Sequence, residues 1–200
     1  MMINQFMKAL SLSLLVFISG TLFANPSIAG NRYVLFSIGY GLASTHYPDS
    51  VQTTLSAAEQ CSGAHSSRNI TDVAVYFPFS MRHSVVGISA NRTLDSVSGR
   101  WQTDVDSRLY ALSLVHFFSD TIGTGAFVRG DIGKSNAKLS TANDNYQSGK
   151  LGDGRGYTFG VGFGIARSRY TNVLLSFNST TYRLQADKFY ATTMLLHFFF

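Results

Sequence analysis

Eight segments of this chain alternate bulky apolar residues with small or polar ones in steps of two. They predict an all-β fold, an eight-stranded antiparallel transmembrane β-barrel. Two further observations point the same way. Past the N-terminal leader no stretch carries the ~20 consecutive apolar residues that a spanning helix requires. The connectors also alternate: about 27, 10, 19 and 7 residues follow the odd-numbered segments, and tight turns follow the even-numbered ones. Closure lets such a chain satisfy its backbone hydrogen bonds inside a bilayer without helices.

The first segment, about 32–42, puts Val34, Phe36, Ile38, Tyr40 and Leu42 on one face and Ser37, Gly39 and Gly41 on the other. The second, about 70–81, sets Val73, Val75, Phe77, Phe79 and Met81 against Asp72, Ala74, Tyr76 and Ser80. The third, about 84–94, opposes Val86, Ile88, Ala90 and Leu94 to Gly87, Ser89 and Asn91. In the fourth, about 105–117, both faces are apolar: Tyr110, Leu112 and Leu114 against Leu109, Val115 and Phe117. Its facing stays open. The fifth, about 123–133, has Ala126, Val128 and Ile132 opposite Gly125, Arg129, Asp131 and Gly133. Tyr157, Phe159, Val161, Phe163 and Ile165 alternate with Thr158, Gly160, Gly162, Gly164 and Ala166 in the sixth. The seventh, about 172–182, sets Val173, Leu175 and Phe177 against Ser176, Asn178 and Thr180. Each is about the 9–11 residues that cross a bilayer at a tilt. Between the tight turns Arg82–His83, Ser119–Thr121 and Arg167–Tyr170, the large apolar faces suit lipid and the small polar faces suit a narrow lumen.

The N-terminus carries an export signal. Lys8 precedes the apolar run Leu10–Ile18, and small residues lead to Ala24, so residues 1–24 read as a cleaved signal peptide, with Ala29 as the second choice of cleavage site. Residues 25–200 then form a single barrel domain. No Cys stands at the cleavage site for a lipid anchor, and Cys61 is single, so no internal disulfide framework exists. The formal charge of +5 falls to +4 when Lys8 leaves with the leader. Export makes nucleic acid a poor partner for that charge; lipid phosphates are a better one.

The chain closes on Tyr190-Ala191-Thr192-Thr193-Met194-Leu195-Leu196-His197-Phe198-Phe199-Phe200, in which Tyr190, Met194, Leu196, Phe198 and Phe200 share a face. A terminal Phe on an alternating aromatic strand resembles the C-terminal assembly signal of bacterial outer-membrane barrels. Over the whole mature chain the pattern is similar to the OmpA/OmpX-type eight-stranded barrels, near the opacity and porin-like families. That resemblance implies location in a Gram-negative outer membrane, with lipopolysaccharide and the barrel assembly machinery as partners, and a monomer. It also implies both termini in the periplasm and four extracellular loops. No periplasmic peptidoglycan-binding domain is expected after Phe200, which removes cell-wall tethering as an inherited role.

Candidate chemistry is sparse. Gly160-Val161-Gly162-Phe163-Gly164 is strand alternation, since no helix follows to cradle a phosphate. Asp72, Arg129 and Asp131 share lumen faces, where unpaired charge is costly, so they are expected to form one ion-pair network plugging the lumen; a switchable gate is the functional alternative. Among His46, His65, His83, His116 and His197, none sits beside a serine and a carboxylate at a catalytic spacing. Glu59, the one glutamate, falls in a connector. No catalytic residue, cofactor or metal site is assigned, although His46, His65 and Cys61 would offer an incomplete ligand set. Arg92, Arg108, Lys134, Arg155 and Arg183 fall near the extracellular strand ends, where they would meet lipid phosphates or merely water. Tyr33, Tyr40, Tyr157, Tyr170, Tyr182 and Trp101 are read as interface aromatics.

These readings converge on a small surface barrel with a structural or porin-like role in envelope integrity. Adhesion to a host or surface ligand would run through the first and third loops, the third being the polar stretch with Lys134, Lys138, Asp144, Tyr146, Lys150 and Asp153. The alternatives are a lipid A-modifying deacylase or acyltransferase, needing Ser, His and an acid together at the outer rim, and a narrow solute channel.

Overall fold

The computed structural model describes residues 34–60, 64–79, 83–99, 102–119, 121–142, 147–168, 171–185 and 187–200. The leader, its cleavage sites, Cys61, Trp101, Tyr33 and Tyr170 lie outside these residues. Eight strands close into one barrel in chain order, each antiparallel to its neighbours: β1 Leu35–His46, β2 His65–Pro78, β3 Ser84–Ser98, β4 Gln102–Phe117, β5 Gly125–Ala142, β6 Gln147–Ala166, β7 Asn172–Leu184 and β8 Lys188–Phe199. β1 pairs with β8 from Ser37↔Phe199 to His46↔Tyr190, so no edge is left open.

Side-chain parity follows the pleat. Phe36, Tyr40, Leu42, Val73, Ile88, Leu112, Ile132, Phe159, Phe163, Phe177 and Leu196 face outward and are exposed, forming an apolar belt around the wall. Such a surface is stable only against lipid. The open question on β4 resolves here: Tyr110, Leu112 and Leu114 face out, while Leu109, Val115 and Phe117 are buried inside. No helix is long and apolar enough to cross a membrane among the described residues.

The strands run well past the apolar segments, and this changes the reading of the connectors. β5 and β6 stay paired up to Thr141↔Gln147, with a register shift at Ala137/Lys138. β3 and β4 pair up to Ser98↔Gln102, and β7 and β8 up to Arg183↔Lys188. Lys134, Lys138 and Asp153 are thus strand residues rather than parts of an irregular loop, as are His65, Ser66 and Ser67 of β2. The apolar signal stops where lipid stops; backbone pairing needs no apolar side chains and continues. The long-then-short rhythm survives chiefly in the first connector, where chain between β1 and β2 folds into a helix.

That helix, α1, spans Asp49–Glu59. Pro48 sets the entry, its carbonyl accepting the N–H of Val51 and of Gln52, and Asp49 places negative charge at the positive end of the helix. Val51 and Leu55, one turn apart, are buried; they pack with Tyr47, Val97, Val105, Leu109, Tyr182, Leu184 and Phe189 at one mouth of the barrel. Glu59 meets Arg68 at 3.4 Å across the helix's far end. A second apolar cluster, Leu35, Ala74, Tyr76, Val85, Val115, Phe117, Phe127, Leu174 and Phe199, fills the opposite end, where β4 leads to β5 and β6 to β7.

Docking of α1 rests on those two side chains. Leu55→Asp would place a charge in the apolar cluster, and we expect a protease to cut residues 47–64 much faster while the barrel keeps its boil-dependent gel migration. An unchanged cleavage rate would show that the helix is held by something else.

Candidate functional site

The inward face between the two apolar clusters is polar, and its centre is one guanidinium. Arg129 Nε donates to both carboxylate oxygens of Asp131 at 2.9 Å, Nη1 donates to Asp72 Oδ2, and Nη2 donates to Asp72 Oδ1 at 3.2 Å. Asp72 on β2 and Arg129 and Asp131 on β5 thus meet across the lumen, all buried. Arginine fits this position because its planar fork can serve two carboxylates at once.

His197 joins the same cluster, a residue whose inward parity on β8 was legible but whose partners were not. Its Nδ1 lies 3.5 Å from Asp72 Oδ2 and 3.4 Å from Ser37 Oγ; its Nε2 lies 2.9 Å from Ser176 Oγ. Asn178 Nδ2 donates to the same Ser176 hydroxyl at 3.0 Å. Gly39, directly opposite His197, is what admits the imidazole: a Cβ there would fall on the ring. Gly160 and Gly162 make room in the same way for Asn178 and Phe127. The inward glycines do not leave empty lumen; they are the holes into which their neighbours fit.

Ser176, His197 and Asp72 therefore form the serine–histidine–carboxylate line that the sequence spacing did not reveal. Its setting differs from that of a nucleophile. Ser176 and Asp72 are each 0% exposed, Asp72 is already held by Arg129, and the group lies inside the barrel rather than at the rim.

Nearer α1 a third buried carboxylate, Asp95 on β3, is 2% exposed, and neither of its oxygens makes a well-formed hydrogen bond among the described residues. Tyr47 and Thr45 stand beside it, close enough to act on its charge but outside good hydrogen-bond geometry, and Ser107 is near the Tyr47 hydroxyl. Burial, and then the charge of Asp95, push the Tyr47 hydroxyl well above the usual phenol range. Tyr182, expected among interface aromatics, is instead inside, stacked on Phe189 at 4.6 Å. It shares parity with Ser176, Asn178 and Thr180. Tyr40 and Tyr157 do face outward.

The five cations singled out for lipid phosphate all project from the outer wall. Arg92 and Arg108 are directly opposite on β3 and β4 and both fork onto Asp106, at 3.1 and 3.1 Å and at 3.2 and 2.7 Å. Lys134, Arg155 and Arg183 occupy successive cross-strand positions on β5, β6 and β7, and Lys188 on β8 continues the row. No group of three or more His, Cys, Asp or Glu able to hold a metal occurs among the described residues.

No family model matches the chain, and no curated protein matches its sequence. Among solved structures its fold is similar to that of Ail, the attachment invasion locus protein of Yersinia pestis. That match has a TM-score of 0.54 and 13% identity, covering 84% of this chain and 97% of Ail, in a crystal with the heparin analogue sucrose octasulfate. Neisserial surface protein A is similar as well, with a TM-score of 0.54, 7% identity, and 84% and 98% of the two chains covered. The closed antiparallel sheet of eight strands is what the chain shares with these proteins, and by it the chain has the fold of an eight-stranded β-barrel of the kind they adopt.

Proposed function

We propose that the protein is a closed surface barrel with a structural role in envelope integrity, rather than a conduit. The observation that carries this reading is the three-layer lumen: an apolar cluster under α1, the Arg129 network in the middle, and an apolar cluster at the turn end. An eight-stranded barrel is just wide enough for side chains to fill, and here they do. On this reading the leader is removed after Ala24, the turn end faces the periplasm, and the extended hairpins and α1 face outward. The sulfated ligand bound by Ail supports a surface-ligand role for those hairpins, as an addition to the structural role. In planar bilayers the protein should be nearly silent; steady conductance would overturn the closed-lumen reading.

Stability should separate the two buried carboxylate sites. Arg129→Ala leaves Asp72 and Asp131 without their cation, a change that typically costs about 3–5 kcal/mol for a buried pair. Its unfolding midpoint in denaturant should fall accordingly. Asp95→Asn removes a buried carboxylate that makes no ion pair among the described residues, so its midpoint should stay level or rise. Equal losses in the two variants would show that the Arg129 network is not what holds the middle layer.

One observation favours a hydrolytic reading: the contact of Ser176 with His197 and of His197 with Asp72. Acyl chains would have to pass one of the apolar clusters to reach Ser176. A fluorophosphonate probe should therefore leave Ser176 unmodified in the folded protein. Labelling abolished by Ser176→Ala would establish a working nucleophile and reverse the assignment.

A further inference from the structure

The outer wall carries two sets of cations that differ in one respect. On β3 and β4, Arg92 and Arg108 share Asp106, so both forks are occupied from within the protein although the one carboxylate offsets only one of the two charges. On β5–β8, Lys134↔Arg155, Arg155↔Arg183 and Arg183↔Lys188 are direct cross-strand neighbours, all four exposed. None of the four makes an ion pair among the described residues. Like charges directly opposite on a sheet weaken its pairing. Asp153, on the same face as Arg155, and Asp187, in the β7–β8 turn, are fewer than the cations they adjoin. A row of this kind is held together best by an anion outside the protein.

The surroundings say where that anion sits. Arg183 lies over the Tyr157 ring at 5.7 Å and Lys188 Nζ over the Tyr190 ring at 4.8 Å. Below these tyrosines the same strands present Ile132, Phe159, Phe177 and Met194 to lipid. The row therefore stands where the apolar belt gives way to headgroups, and tilted strands carry it obliquely over roughly 15 Å of wall. On the other side, the outward positions Leu42, Ser44 and His46 of β1 and Ser67, Asn69 and Thr71 of β2 include no Lys or Arg. The basic surface has a side.

We propose that the outer wall of β5–β8, through Lys134, Arg155, Arg183 and Lys188, docks the phosphate groups of a glycolipid in the leaflet at the hairpin end. Arginine forks bind phosphate oxygens in pairs, the lysines add point charge, and the tyrosines and apolar wall take the sugar and acyl portions. The two outer arginines of β3–β4, being occupied by Asp106, contribute little.

Native mass spectrometry of the purified barrel in detergent micelles tests this, using a bisphosphorylated glycolipid and its enzymatically dephosphorylated form as probes. The parent should retain the phosphorylated form about tenfold better, and Arg155→Gln with Arg183→Gln should remove that preference. Arg92→Gln with Arg108→Gln should leave it in place. Boil-dependent gel migration shows whether each variant folds; Lys134→Gln with Lys188→Gln repeats the test if the first pair does not. Equal retention of the two lipids by the parent, or equal losses from the β3–β4 and β5–β8 variants, would overturn the proposal. So would a sulfated polysaccharide whose binding needs Arg155 and Arg183 while lipid retention does not, since the row would then serve a soluble polyanion. These readouts are independent of conductance, so the closed-lumen reading stands or falls separately.

Discussion

A guanidinium buried in the middle of the barrel constrains nearly every inward position around it. Arg129 cannot lose its charge, so it needs acceptors, and a bilayer-enclosed lumen supplies few apart from side chains. Asp131 comes from the same strand, two residues on, and Asp72 from the opposite wall. The second carboxylate overcompensates the cation, and the remaining acceptor capacity of Asp72 draws in His197, which in turn orders Ser37, Ser176 and Asn178. Glycines follow from the same demand, because Gly39 and Gly160 are where the wall must thin to let His197 and Asn178 in. The polar middle is one connected object rather than a set of hydrophilic residues.

The two apolar clusters protect that object. Charge pairs strengthen as water is excluded, and Phe117, Phe127 and Phe199 at the turn end and Val51, Leu55, Tyr182 and Phe189 under α1 exclude it from both directions. The Phe117 ring lies 5.4 Å from Phe127 and 6.0 Å from Phe199, a group that side chains from β4, β5 and β8 build together. The helix contributes only Val51 and Leu55 fully, yet without it the mouth would open onto Leu109 and Tyr182.

How far the sequence could be read follows from the range of each signal. Facing is a local property, so parity placed Asp72, Arg129, Asp131 and the lipid-facing aromatics on their faces before any geometry. The meeting of Asp72 with Arg129 is set by barrel closure and stagger, which no spacing in the chain displays. The Ser176–His197–Asp72 line is hidden for the same reason: its members lie on β7, β8 and β2. Strand ends were misplaced because apolarity reports the bilayer and not the hydrogen bonds; Lys134 and Asp153 looked like loop residues only because they stand above lipid. Two misses were avoidable. Pro48-Asp49 followed by Val51 and Leu55 is a helix start with a one-turn apolar pair, and Tyr182 had the parity of the lumen.

The same logic separates what the outer wall and the inner wall can do. Inside, a cation must find its counter-ion among nearby side chains; Arg129 does, and on the closed-lumen reading proposed above the interior serves structure. Outside, at the headgroup level, a cation can be answered by the protein or by the membrane. Asp106 occupies the forks of both Arg92 and Arg108 and offsets one of their two charges. No ion pair among the described residues occupies the row from Lys134 to Lys188, although acidic residues hold cations elsewhere on the same barrel. An unanswered charge inside would cost stability, whereas here it costs little, since water screens it until an anion arrives. The charges open to an outside ligand therefore lie on the surface of this barrel and not along its axis, and on one side of that surface more than the other.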